Sequence, residues 1–255
     1  MRNRGLLMLA GHAIYQHGRW HGGHQDEDRL YEKHVRDAFR IFAAADYQAL
    51  VLSGGRSRPH LPPEISNSEA EGLRDYALEA GLVRPGDRVL LEPFGRDSFE
   101  NLFFSILRFN REFGEWPSRV GAVSWKFKAL RFYLIACGLQ LGQGLFRFFG
   151  SGDPADQEAI EAFAAASAQY DAMIVRGGEI VDPLHRDRQW FAAKRLGRMP
   201  RECATNAEYL RQVKQAYDPD GAAGKLIDLV ESLEPGPAWR EVAWPWTAQD
   251  ARGLP

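Results

Sequence analysis

Lys128 and Arg131 stand three residues apart, just after the apolar run Val120-Gly121-Ala122-Val123 and its terminal Ser124. Residues three apart share one face of a helix. Cations near a helix N-terminus oppose its dipole, and that cost points to an anion held between them and the backbone amides. A Lys-x-x-Arg pair is ordinarily solvated helix surface. Here it sits in a helix otherwise as apolar as Phe127, Leu130, Phe132, Leu134 and Ile135. A second polar group is Asp97-Ser98-Phe99-Glu100-Asn101, read as a helix start with Asp97 as its cap. Ser98 and Asn101 are again three apart and can reach one ligand together. Ser53-Gly54-Gly55 offers a hydroxyl and unhindered backbone N–H groups that can approach a phosphate or carboxylate.

Proton-transfer candidates are His12, Glu69 and Glu92. His12 follows Gly11 at the end of an apolar run, and its unperturbed pKa is near neutral. Glu92 ends another such run and could instead contact a hydroxyl-rich group. The chain has no Walker loop and no Gly-x-Gly-x-x-Gly fingerprint. It has no Gly-x-Ser-x-Gly elbow either. His12, His17, His21 and His24 precede Asp26 and Glu27, but their spacing fits no zinc signature, so no metal site is assigned. Cys137 falls in an apolar helix and reads as a buried, inert thiol; Cys203 has no evident partner.

These groups need a scaffold that brings them together. Residues 6–10, 49–52, 88–91, 120–123 and 145–149 are short apolar runs suited to strands buried on both faces. Between them lie helical patterns at residues 28–45, 66–80, 97–113 and from 126 onward. The segment 15–25, rich in Gly and His, reads as a loop. Ser66-Asn67-Ser68-Glu69 matches a capping box that would open the second helix. The alternation implies an α/β fold: a Rossmann-like open parallel sheet with helices on both faces. In such sheets ligands bind at the carboxyl edge, where Gly11, Ser53, Glu92 and Ser124 would all emerge.

After Gly150 the pattern changes, giving a division into 1–150 and a mostly helical C-terminal extension, 151–255. Residues 154–172 read as an Ala-rich helix and 173–175 as a short strand or buried link. Arg186, Arg188, Lys194, Arg195, Arg198 and Arg201 form a basic stretch. Thr205-Asn206-Ala207-Glu208 opens a helix to about Tyr217, and a shorter one covers 224–233. The Trp- and Pro-rich end reads as irregular.

The formal net charge of −2 argues against a nucleic-acid partner. No apolar run approaches the ~18 residues of a membrane span. Apolar residues at 45% and charged residues at 26% fit a globular protein with a sizeable core, and the expected location is cytoplasmic. Oligomeric state is left open.

Four ordered motifs carry a resemblance: Leu52-Ser53-Gly54-Gly55, Ser68-Glu69-Ala70-Glu71, Asp97-Ser98-Phe99-Glu100-Asn101, and residues 124–132. Together they resemble the DUF218 domain family, also called YdcF-like or SanA/ElyC-like, over residues 5–150. Gly11-His12-Ala13-Ile14-Tyr15, Asp26-Glu27-Asp28 and Phe127-Lys128-x-x-Arg131-Phe132 look closer to the branch common in fungi. Bacterial envelope members usually have a His where Lys128 stands and carry a membrane anchor. The resemblance implies a Rossmann-like fold. At least one relative is reported to bind S-adenosylmethionine, others are linked to envelope or lipid-carrier metabolism, and no reaction is established for the family at large.

Three readings follow. The first is a site for an anionic, phosphate- or nucleotide-containing ligand, open to hydrolase or transferase chemistry. In it Lys128 and Arg131 neutralise charge, while Gly11, Ser53, Gly54, Gly55, Asp97, Ser98, Asn101 and Ser124 make up the binding edge. The second is S-adenosylmethionine binding. The third is a non-catalytic sensor or scaffold whose basic helix and Trp-rich tail bind a partner.

Overall fold

A computed structural model describes residues 4–23, 27–142, 144–152, 161, 165, 175–176, 179–180, 195–218, 221–233 and 237–247. Five parallel strands form the sheet: β1 (Gly5–Ala10), β4 (Ala49–Ser53), β5 (Val89–Glu92), β6 (Arg119–Ser124) and β7 (Phe146–Gly150). Their order is β5-β4-β1-β6-β7. The chain winds outward from β1 in one direction, then returns to β1's other side and winds the opposite way. The reversal between β1 and β6 leaves a crevice at their carboxyl ends. Leu7 sits opposite Leu50 on one side and Gly121 on the other.

Every residue of β1 and β4 is buried, which explains their unbroken apolar runs. Alternate side chains divide the core. Leu7, Leu9, Leu50 and Leu52 face α1 (Asp28–Ala44) and α2 (Glu69–Glu79). Leu6, Met8, Ala10 and Val51 face the other way, toward α3 (Ser98–Phe113) and α4 (Ala129–Gly138). The α/β fold expected from the alternation is therefore observed, with helices on both faces.

The C-terminal residues join the α3 side of the core. The helices α5 (Asn206–Tyr217) and α6 (Ala222–Ser232) bury Tyr209, Tyr217, Ile227 and Val230 there. The end is a 3₁₀ turn, Pro237–Glu241, followed by Trp244 and Trp246, stacked at 5.0 Å. Trp239, Trp244 and Trp246 are all buried, and Trp246 donates to Leu139 O. A tail packed this way does not present its tryptophans to a partner.

Several local expectations need correction. Within 15–25 lies a β-hairpin, β2 (Ile14–Gln16) and β3 (Arg19–His21), closed by His17 and Gly18 at positive φ. Its aromatic residues cause it to fold: Tyr15 packs edge-on against both Trp20 and Tyr76. Helix α2 starts two residues later than the Ser66–Glu69 pattern implied. Ser68 is the cap, and it exchanges hydrogen bonds with Glu71 in a complete capping box. Cys137 is exposed and Cys203 buried, the reverse of the expectation for Cys137. Lys126–Lys128 form a 3₁₀ turn, so Lys128 caps α4 rather than lying inside it. Of the expected helix 154–172 only residues 161 and 165 are described, and both are helical. A two-residue strand, β8 (Val175–Arg176), pairs antiparallel with β9 (Glu179–Ile180). Residues 173–174, Arg186, Arg188 and Lys194 lie outside the described residues.

Candidate functional site

A polar cleft of about 110 Å³ opens at the carboxyl edge of the sheet. The sheet's carboxyl edge brings Gly11 and His12 there from β1. Capping brings Glu69 from α2 and Asp97, Ser98 and Asn101 from the first turn of α3. The turn after β6 brings Lys128 and Arg131. Eight expected residues thus line one space. Ser57, Arg58, Gly95, Arg96 and Arg198 line it as well, and the sequence reading did not assign them to a site.

Among the described residues the lining holds five cationic side chains, Arg58, Arg96, Lys128, Arg131 and Arg198, against two carboxylates; Arg96 is paired with Glu100 just behind. Both carboxylates are engaged within the protein. Glu69 accepts from Ser57 Oγ at 2.7 Å and lies 3.5 Å from Arg58 Nε. Asp97 accepts from Glu100 N and is paired to Arg195 at 3.0 Å. Asn101 is 7% exposed, and its Oδ1 has no hydrogen-bond partner. A buried amide oxygen in that state carries a desolvation cost, which a donor on a ligand would remove.

The late start of α2 matters here. Because Ser68 and Glu71 form the capping box, the Glu69 carboxylate is released toward the cleft. It lies directly over Gly11 and Gly54: a Cβ at either position would come within 2.6–2.7 Å of the Glu69 side chain. The two glycines are there to make room for this carboxylate, which requires close backbone approach.

His12 sits between two partners. Ser124 Oγ is 3.2 Å from Nε2, and Lys128 Nζ is 3.4 Å from Nδ1. An ammonium only donates, so Nδ1 accepts and the imidazole proton is on Nε2, facing the Ser124 hydroxyl. Burial, then the charge of Lys128, holds the His12 pKa well below its usual value. The same two causes push His34, packed 5.2 Å from the His12 ring, down to about 3. Burial and the Lys128 charge thus favour the neutral imidazole of His12, whose Nδ1 accepts from Lys128.

Four expected ligand contacts stand behind the cleft instead. Ser53 is fully buried and donates to Glu92 Oε2 at 2.6 Å. The amides of Gly54 and Gly55 donate to Glu92 O and Gly95 O, so neither is left to cradle an anion. Ser124 is buried beneath His12. Glu92, expected to move a proton or meet a hydroxyl-rich group, is sealed: it accepts from Ser53 Oγ, Phe94 N, Gly95 N and Tyr217 Oη. Burial raises its pKa to about 7, although those hydrogen bonds pull the other way. The contact with a hydroxyl-rich group offered for Glu92 is thus closed off. His17 and His21 bond to Gln16 in the hairpin. Among the described residues no three His, Cys, Asp or Glu side chains converge on a metal position.

The residues missed had a signal that was misread. Arg195 and Arg198 belong to the basic stretch taken for a partner-binding helix. In the structure Arg195 pairs with Asp97 and Glu100, while Arg198 donates to Arg96 O at 2.6 Å. Arg58 sits in the Pro-rich connection after Gly55, where nothing local marks it.

Fold and site together define a doubly wound α/β protein with a cationic cleft at its topological switch point. No family model, curated protein or solved structure matches this chain. Among the described residues, no helix is long and apolar enough to cross a membrane.

Proposed function

We propose that this protein binds a phosphate-bearing small molecule in the cleft between β1, α2, α3 and α4. The observation that supports the reading is the composition of the lining among the described residues: Arg58, Lys128, Arg131 and Arg198 line one small polar space together with two carboxylates engaged within the protein, while Arg96 pairs with Glu100. Cationic clefts with low-dielectric walls concentrate anions, and guanidinium groups match phosphate geometry. Lys128, Arg131, Arg58 and Arg198 neutralise the ligand, and Asn101 Oδ1 accepts from a hydroxyl on it. Glu69 is the carboxylate placed to take a proton if the bound group is hydrolysed or transferred. The motifs that resemble the DUF218 family all sit at this edge or directly behind it.

The test is thermal stability with inorganic phosphate, pyrophosphate, nucleotides, S-adenosylmethionine and S-adenosylhomocysteine. A ligand at 100 times its Kd stabilises by about 2.7 kcal/mol. Phosphate ligands should raise the midpoint of the native protein and fail to do so in Lys128→Ala and Arg131→Ala. Equal responses in native and variant proteins would place the anion elsewhere. A response to the adenosyl compounds alone would replace this reading with the adenosyl one.

A further inference from the structure

Ser57 lines the polar cleft beside Arg58, in the connection that follows Gly54 and Gly55. Its hydroxyl donates to Glu69 Oε1 at 2.7 Å. A hydroxyl within hydrogen-bond reach of a carboxylate, itself held in place, is the arrangement that activates a nucleophile. Ser98, the other hydroxyl in the lining, has no bond to a carboxylate among the described residues.

Glu69 is available for this role because α2 does not need it as a cap. Ser68 and Glu71 complete the capping box by themselves. The Arg58 guanidinium, 3.5 Å away, approaches the same oxygen that Ser57 does. The second oxygen, Oε2, packs over two strand ends: a Cβ on Gly11 or Gly54 would stand 2.7 Å from it. Close packing on one oxygen and polar contacts on the other hold the carboxylate, and with it the Ser57 hydroxyl.

We infer that Ser57 is a phosphoryl acceptor, the nucleophile in cleavage of a phosphomonoester, with Glu69 as its base. The inference rests on the anion reading above and deepens it. Ser57 Oγ attacks phosphorus. The Oγ–P bond forms, the P–O bond to the organic group breaks, and the Ser57 proton passes through Glu69 to the departing oxygen. Water then attacks the same phosphorus. The Oγ–P bond breaks, inorganic phosphate leaves, and one water proton returns through Glu69 to Oγ. A carboxylate suffices as base, because phosphoryl transfer runs through a loose transition state governed by positioning and charge neutralisation. Arg58, Lys128, Arg131 and Arg198 supply the neutralising charge around the space that Ser57 lines.

The experiment gives the full chain p-nitrophenyl phosphate, quenches it rapidly in acid and maps any added mass. Native protein should release p-nitrophenolate and carry one phosphoryl group on Ser57, stable to hydroxylamine. Ser57→Ala should carry none, while inorganic phosphate still raises its thermal midpoint, which reports a folded protein with its anion site. Glu69→Gln should form the phosphoserine about a hundredfold more slowly. An adduct that hydroxylamine removes would lie on a carboxylate and overturn the inference. So would undiminished release by Ser57→Ala, or neither release nor adduct in native protein that phosphate stabilises. Each of these leaves the anion site standing. Failure of phosphate to stabilise native protein overturns the anion reading itself, and this one with it.

Discussion

The carboxyl edge of the sheet holds two charged regions that differ in burial and in the balance of charge. Behind the cleft, charges are closed into protein. Arg96 and Glu100 are 1% and 3% exposed and paired at 2.6 Å. Arg96 also bonds Asn206 and lies 3.8 Å over the Tyr209 ring. Burial works against the Arg195 charge, but Asp97, Glu100 and Glu231 outweigh it and hold its pKa up. Glu92 is met by four donors. In front, the lining cations outnumber the carboxylates. Closed charge positions the elements, and the cationic lining is where we propose that the ligand binds. The burial of the closed set explains its completeness, since a buried charge that lost its partner would cost several kcal/mol.

The contrast can be broken most severely at Arg96. Arg96→Leu removes the closer guanidinium from the buried Glu100 carboxylate, leaving it Arg195 at 3.5 Å, and should cost about 3 kcal/mol in urea unfolding. A loss below about 1 kcal/mol would mean the pair is not closed as described.

Glu92 tests the same region through pH. Its folded pKa, about 7, lies above the ordinary glutamate value of 4.5. The folded state therefore binds the proton more tightly. The associated stability is fully present below about pH 4.5 and is lost as pH rises through 7, by roughly 3 kcal/mol in all. His34, depressed to about 3, has the opposite sign: its contribution is present above 6.5 and lost as pH falls through 3. Subtracting the stability profile of Glu92→Gln from that of native protein cancels the His34 part. The remainder should fall with rising pH between 4.5 and 7, and a flat remainder would show that Glu92 titrates normally.

Tyr217→Phe removes one donor from the Glu92 carboxylate and should cost about 1.5–3 kcal/mol. Asn101→Ala, equally buried, should cost less than about 1 kcal/mol, because Oδ1 has no partner to lose. Reversal of that order in denaturant unfolding would break the distinction between saturated and unsaturated groups. Smallest in stability is Lys128→Ala, with an expected change below about 1 kcal/mol. Its signature is elsewhere: the pKa values of His12 and His34 should both rise, since Lys128 depresses both. Imidazole proton shifts followed by NMR titration measure this directly.

Much of this architecture was legible from residues close in sequence. The apolar runs of β1 and β4, the helical spacing of α1 and the Asp97 cap of α3 are local signals, and each element formed where its signal lay. The hairpin was missed because its order comes from Tyr15 and Trp20 packing on Tyr76, a residue about sixty positions away. The α2 start slipped by two because two overlapping patterns share Ser66, Ser68, Glu69 and Glu71. Only the released Glu69, lying over Gly11 and Gly54, distinguishes them.

The sequence by itself determined which residues would reach the carboxyl edge, because strand ends and helix starts follow from periodicity and capping within a few residues. It did not determine which of those groups would face the cleft. Ser53 and Glu92 turned inward because a buried carboxylate must collect donors, the others coming from Tyr217 in α5 and the turn before α3, while the Gly54 and Gly55 amides are taken by backbone carbonyls. Arg195 and Arg198 reached the site from about a hundred residues away in sequence. Pairing of charges depends on distances through space, and those distances exist only once the C-terminal helices have packed against the sheet.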